Sequence, residues 1–153
     1  LLSTTIIHHY FEFKEWKSFW LDARACIKTD DYYRSANLNW DQTQALIKTQ
    51  SKGHQLIVTQ GFIGSNSNNF TTTLGREGSD YSAAIFAYAL NAESVTIWKD
   101  VPGVLNGDPR VFNNTELFIK SRIVKPLNWL FMEPLLFILK LYSRSREKKF
   151  LFM

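Results

Sequence analysis

Cysteine is almost missing from this 153-residue chain. Cys26 stands alone, so neither an intrachain disulfide nor a multi-thiolate metal site can form. The short phosphate and zinc signatures are missing too: there is no G-x-x-x-x-G-K-[ST], no G-x-G-x-x-G and no H-E-x-x-H. Histidine is scarce. His8 and His9 are neighbours on one helical stretch, and side chains at i and i+1 are not expected to converge on a metal. His54 reads as a solvent-facing turn residue, Cys26 as a small core hydrophobe, and no metal ligand is predicted. The chain also lacks an uninterrupted apolar run of about 20 residues, the length a membrane span needs. Its densest apolar stretch, Leu127 to Tyr142, is broken by Glu133, Pro134 and Lys140. The opening Leu1-Leu2-Ser3 is neither an initiator Met nor a signal peptide. The expectation is a piece of a longer, cytoplasmic protein with no membrane partner.

What is present is ordinary globular composition, 45% hydrophobic and 21% charged, enough for one domain with a core. The net charge of +4 is unevenly spread. Residues 119–153 carry eight Lys/Arg against two Glu, net +6, whereas residues 1–118 carry ten basic and twelve acidic groups, net −2. The basic character belongs to the tail, and no nucleic-acid partner is predicted from it.

Periodicity gives an alternation of helices and strands. Leu2, Ile6, Tyr10 and Phe13, with Ile7 and Phe11 beside them, predict an amphipathic helix whose apolar face meets a core. Ser18 to Asp22 is strand-like, with a weaker strand at Ala25–Thr29. Asp41 is expected to cap a helix bearing Ala45, Leu46 and Ile47 that ends at Lys52-Gly53. Leu56-Ile57-Val58 reads as a buried parallel strand, and Gly61 to Thr73 as a Gly/Ser/Asn/Thr loop. Ser79-Asp80 opens an alanine-rich helix to about Asn91, and Val95 to Trp98 reads as the next strand. The sum is an α/β domain with a mostly parallel sheet, in which ligands sit beyond strand C-termini.

Two loops carry chemistry. Thr71-Thr72-Thr73-Leu74-Gly75-Arg76-Glu77-Gly78-Ser79-Asp80 combines two glycines, a guanidinium and a helix N-terminus. That set suits an anion, although Ser79 or Asp80 could simply cap the helix and Arg76 could be a solvated charge. Asp100 to Arg110 is a rigid loop with two carboxylates besides its Arg, able to hold a nucleotide and its metal or merely to turn the chain.

Read together, Thr59-Gln60-Gly61-Phe62-Ile63-Gly64, Thr71 to Tyr81, Trp98 to Val104 and Asp108-Pro109-Arg110 resemble aspartate kinase in order and spacing. The resemblance runs from Leu1 to about Leu117. It implies the amino-acid-kinase fold (carbamate kinase-like), a three-layer αβα sandwich, here incomplete. It implies ATP-dependent phosphorylation of the side-chain carboxylate of L-aspartate, with ATP and Mg2+ as cofactors and a homo-oligomeric parent enzyme. By the same resemblance Phe62, Arg76 and Ser79 bind aspartate and Asp80 orients the catalytic lysine, while Lys99, Asp100, Leu105 and Arg110 line the nucleotide side. Glu77, Lys99 and Leu105 stand where relatives commonly carry Gly, Thr and Tyr. The family's opening K-F-G-G-T-S segment does not occur, so a fragment inactive by itself is expected. Two other readings stay open: a kinase of the same fold acting on glutamate, acetylglutamate or a nucleoside monophosphate, and a non-catalytic protein that associates with membranes through residues 119–153.

The resemblance stops after Phe118, which suggests a partial catalytic domain over 1–118 and a tail, 119–153, that looks out of frame. If one nucleotide is lost after the Phe118 codon, Trp129 (TGG) arises from TTG-GCT, Leu-Ala, and Met132 (ATG) from TAT-GGA, Tyr-Gly. Restoring the base permits a reading that contains F-Y-G-A-S-V-I-H-P, a stretch aspartate kinases carry next.

Overall fold

The computed structural model describes residues 1–96, 98, 107 and 111–116, and the chain divides into two compact units, Leu1–Ala92 and Glu93–Met153. The elements described lie in the first unit. They are α1 (Leu2–Phe13), β1 (Phe19–Leu21), α2 (Ala23–Cys26), α3 (Trp40–Gln50), β2 (Ile57–Thr59), β3 (Ile63–Ser65), β4 (Thr71–Thr73) and α4 (Gly78–Leu90).

The two apolar runs expected to be strands pair with each other. β1 and β2 lie parallel, with Phe19 opposite Ile57, Trp20 opposite Val58 and Leu21 opposite Thr59. Parallel neighbours require a crossover, and α2 with α3 supplies it. The core forms around this unit from Leu21, Ala23, Cys26, Ile27, Ile47, Leu74, Ile85 and Ala89. Within α4, Ser82, Ile85 and Ala89 are buried at i, i+3 and i+7, the spacing of one helix face. Asn91 ends α4 in the left-handed conformation, with the Ala92 amide donating to Ala87 O at 2.8 Å.

Four local expectations are corrected. The segment Gly61 to Thr73 is not a plain loop: β3 and β4 form an antiparallel hairpin, with Gly64 opposite Thr72. Its polar residues are suited to burial because they find partners, as Thr29 and Thr72 do through hydroxyls 2.7 Å apart. Ala25–Thr29 begins as the short helix α2, because Asp22 accepts from the Arg24 amide and caps it; Lys28 and Thr29 then form isolated bridges. Asn39, not Asp41, caps α3 by accepting from the Gln42 amide, and that helix ends at Ser51. The strand expected at Val95–Trp98 includes Ile97, which lies outside the described residues, as does all of 119–153; Val95, Thr96 and Trp98 carry no strand.

The fourth correction concerns α1. The helix forms where expected, but Leu2, Ile6, Tyr10 and Phe13 face solvent, with Leu2 76% and Phe13 79% exposed. The half-buried face is Thr4, Thr5, His8 and Phe11. Hydrogen bonding decides the rotation: Thr4 Oγ1 accepts from Trp20 Nε1 at 3.2 Å and from Gln60 Nε2 at 3.0 Å. His8 Nδ1 lies 2.7 Å from Ser18 Oγ. Turning the apolar stripe inward would strand these groups, at a cost of about 1–3 kcal/mol each.

Two substitutions separate core from surface. Ile47 is fully buried, so Ile47→Ala is expected to destabilise the chain by about 2–5 kcal/mol. Phe13→Ser, on the exposed face of α1, should stay within about 0.5 kcal/mol. Urea unfolding of the two variants measures both.

Candidate functional site

β2 delivers the chain to its C-terminal edge at Gln60, Gly61 and Phe62. Gln60 is buried and fully used: its Oε1 accepts from the Ala23 amide at 2.8 Å and its Nε2 donates to Thr4. It therefore ties the end of β2 to the starts of α2 and α1. Phe62 turns the chain at φ 75, the left-handed region that a bulky residue rarely adopts. Two backbone bonds hold it there. The Phe62 amide donates to Ser82 Oγ at 2.9 Å, and its carbonyl accepts from the Leu74 amide at 2.8 Å.

The N-terminus of α4 packs against this turn. A Cβ on Gly61 would sit 3.0 Å from Ser79 Cα, and one on Gly78 would sit 2.7 Å from Phe62 Cδ2. Side chains at these two positions would push the helix end off the strand end. The residue before the helix, Glu77, is itself left-handed at φ 55 and its side chain does not cap α4. The helix end thus keeps its positive pole toward an exposed rim that carries Arg76 and Ser79, with Asp80 half-buried in the first turn. Arg76 forms no ion pair among the described residues. Chemically, an exposed guanidinium beside a helix N-terminus can attract an anion such as a carboxylate or phosphoryl group.

Of the residues expected to bind aspartate, Phe62 and Ser79 are brought together by the Gly61 and Gly78 contacts with Arg76 beside them, and Asp80, expected to orient the catalytic lysine, follows Ser79 in the first turn of α4. Lys99, Asp100, Leu105 and Arg110 lie outside the described residues. Neither Ser79 nor Asp80 is the cap, which is Glu77. Sequence reasoning gave Gln60 and Ser82 no role, yet they hold the turn. A glutamine directly after a strand-like run was the only signal for the first, and nothing marked the second.

The remaining titratable groups behave as structure. Burial pushes the Cys26 thiol up to about 12, so it is an inert core residue. Burial likewise pushes Tyr81 up to about 12. The Arg24 side chain, hydrogen-bonded through Nε and Nη2, holds Asp22 below its ordinary range. His54 stays exposed while stacking on Phe19 at 3.9 Å. His8 and His9, adjacent on α1 and not expected to converge on one metal, both approach the Glu12 carboxylate, His9 Nδ1 at 2.9 Å and His8 Nε2 at 3.6 Å.

The model of the amino acid kinase family matches residues 1–129. The chain belongs to the amino acid kinase family. It is 40% identical over 114 residues to Lysine-sensitive aspartokinase 3 of Escherichia coli (strain K12), covering 72% of this chain and 25% of that protein. It is 36% identical over 115 residues to the Aspartokinase of Chlamydia pneumoniae, covering 75% and 26%. Its fold is similar to that of E. coli aspartokinase III in complex with aspartate and ADP, at a TM-score of 0.71 and 38% identity over 76% of this chain and 27% of that one. The architecture is therefore an incomplete amino-acid-kinase α/β fold, and the chain spans about a quarter of the length of these curated relatives.

Two outcomes follow for this amino acid kinase segment. Cys26 and Tyr81 are held neutral when folded, whereas an unfolded chain ionises them at the ordinary 9.0 and 10.0. The contribution of these two groups to stability is therefore full below pH 9 and falls as pH rises toward about 12, which urea midpoints from pH 8 upward would record. Separately, Glu77→Gly removes left-handed strain at φ 55 and should stabilise the chain by about 0.5–1 kcal/mol in the same assay.

Proposed function

We propose that the chain forms the aspartate side of an aspartate kinase catalytic domain. The observation that carries this reading is the docking of α4 on the β2–β3 turn, which sets Phe62 and Ser79 together beside the exposed Arg76. In this reading the Arg76 guanidinium pairs a carboxylate of aspartate, and Ser79 and the α4 N-terminus complete the anion seat. Asp80, in the first turn of α4, orients the lysine that meets the transferring phosphoryl group. Lys99, Asp100, Leu105 and Arg110 take the nucleotide side, and ATP brings Mg2+ to the reaction. Phosphoryl transfer needs positioning and charge neutralisation more than covalent help, and these groups supply both for the acceptor.

No step is assigned to a metal held by the described residues. Their one group of metal-capable side chains, His8, His9 and Glu12, is rich in imidazole and ill-suited to a hard cation such as Mg2+. The parent enzyme is proposed to be cytoplasmic and homo-oligomeric. Among the described residues, which do not include 119–153, no helix is long and apolar enough to cross a membrane. Residues 119–153 are proposed to be out-of-frame translation, which the nucleotide sequence across the Phe118 codon tests directly.

A chimaera tests the function. Residues 1–116 replace the matching segment of Lysine-sensitive aspartokinase 3 from E. coli, and aspartyl phosphate is trapped with hydroxylamine. The chimaera is expected to phosphorylate aspartate. Arg76→Ala in it should lower kcat/KM for aspartate by about a hundredfold or more, the loss of a charge-assisted contact. Activity indifferent to Arg76→Ala, or directed at glutamate, would refute the reading. The chain by itself is expected to show no kinase activity.

A further inference from the structure

We infer that His8, His9 and Glu12 of α1 form a binding site for one borderline divalent transition metal of the Zn2+ class, separate from the Arg76 anion seat. Angular position on the helix explains why adjacent histidines converge. At about 100° per residue, Glu12 lies about 40° from His8 and about 60° from His9, between them and one turn along. Its two carboxylate oxygens divide accordingly, Oε1 to His8 Nε2 at 3.6 Å and Oε2 to His9 Nδ1 at 2.9 Å. One ligand atom from each residue lies within 4.8 Å of the others. A tetrahedral zinc with ligands near 2.0–2.1 Å has edges of about 3.3 Å, and each imidazole lies within about half an ångström of that distance from its own carboxylate oxygen.

The supporting groups fit as well. Ser18 Oγ lies 2.7 Å from His8 Nδ1, the arrangement that fixes a ligating imidazole through its other nitrogen and leaves Nε2 toward Glu12. The three side chains line an open depression with Thr5, Ser18, Phe19 and Trp20, which leaves room for water or an exogenous ligand at a fourth position. Two imidazoles and one carboxylate select Zn2+, Co2+, Ni2+ or Cu2+ over Mg2+ or Ca2+. His8 is largely buried by the α1–β1 connection while His9 and Glu12 are exposed, so metal can enter without unfolding the helix.

The test titrates untagged full-length chain with Zn2+ by calorimetry and with Co2+ by absorption spectroscopy. One metal per chain is expected at micromolar concentration, with d–d bands of a nitrogen–oxygen site and no thiolate charge-transfer band. His9→Ala and Glu12→Gln, both at exposed positions, should each weaken binding about tenfold or more, Ser18→Ala by less, and His54→Ala not at all. Zn2+ should raise the melting temperature of the parent chain but not of the His9→Ala variant. Failure to bind Zn2+ at micromolar concentration, undiminished binding in both His9→Ala and Glu12→Gln, or a thiolate band assigning the metal to Cys26 would each overturn the inference.

Discussion

The candidate site depends on how closely a strand end and a helix end can approach. Gly61 lies against the Cα of Ser79, and Gly78 lies against the ring of Phe62. With no Cβ in either gap, the N-terminus of α4 rests directly on the turn that leaves β2. Every other feature of the site follows from that approach. The Phe62 amide can reach Ser82, the positive pole of α4 faces the rim, and Arg76 is carried past the contact to an exposed position. A larger side chain at either glycine would separate the two ends.

Buried polar groups set the rest of the geometry. Gln60 joins β2, α2 and α1 through two hydrogen bonds, and its Nε2 meets the same Thr4 hydroxyl as Trp20 Nε1. These groups are satisfied on the inner face of α1, and its apolar stripe is left in solvent. The same rotation of α1 points His8 toward Ser18 and gathers His9 and Glu12 beside it. One hydrogen-bond network thus accounts both for the exposed apolar face and for the cluster proposed to take a metal.

The chain belongs to the amino acid kinase family, and its fold is similar to that of aspartokinase structures. The left-handed backbone at Glu77 gives a physical sense to one departure from the aspartate kinase pattern. Glycine is the residue that conformation favours, and a glutamate there carries both strain and a negative charge next to an anion seat. The Zn2+-class site on α1 is of another kind. Its donors are imidazole-rich, and they lie on a helix whose link to the Arg76 rim, among the described residues, runs only through the Thr4–Gln60 hydrogen bond.

The sequence by itself determined the α/β class, the parallel run at Leu56–Val58 and the extent of α1 and α4, and it named Phe62, Arg76, Ser79 and Asp80 as candidates. These are properties of local periodicity or of a contiguous motif, and they survive whatever surrounds them. Only the tertiary structure decided which face of α1 is inward, that Gly61 to Thr73 pairs as a hairpin, and that Glu77 stands at the start of α4. It also decided that two adjacent histidines share one carboxylate. Each of those outcomes turns on a hydrogen bond or close contact between groups brought together by folding. An apolar period reports which residues could be buried, and not which polar neighbour claims the inner face first.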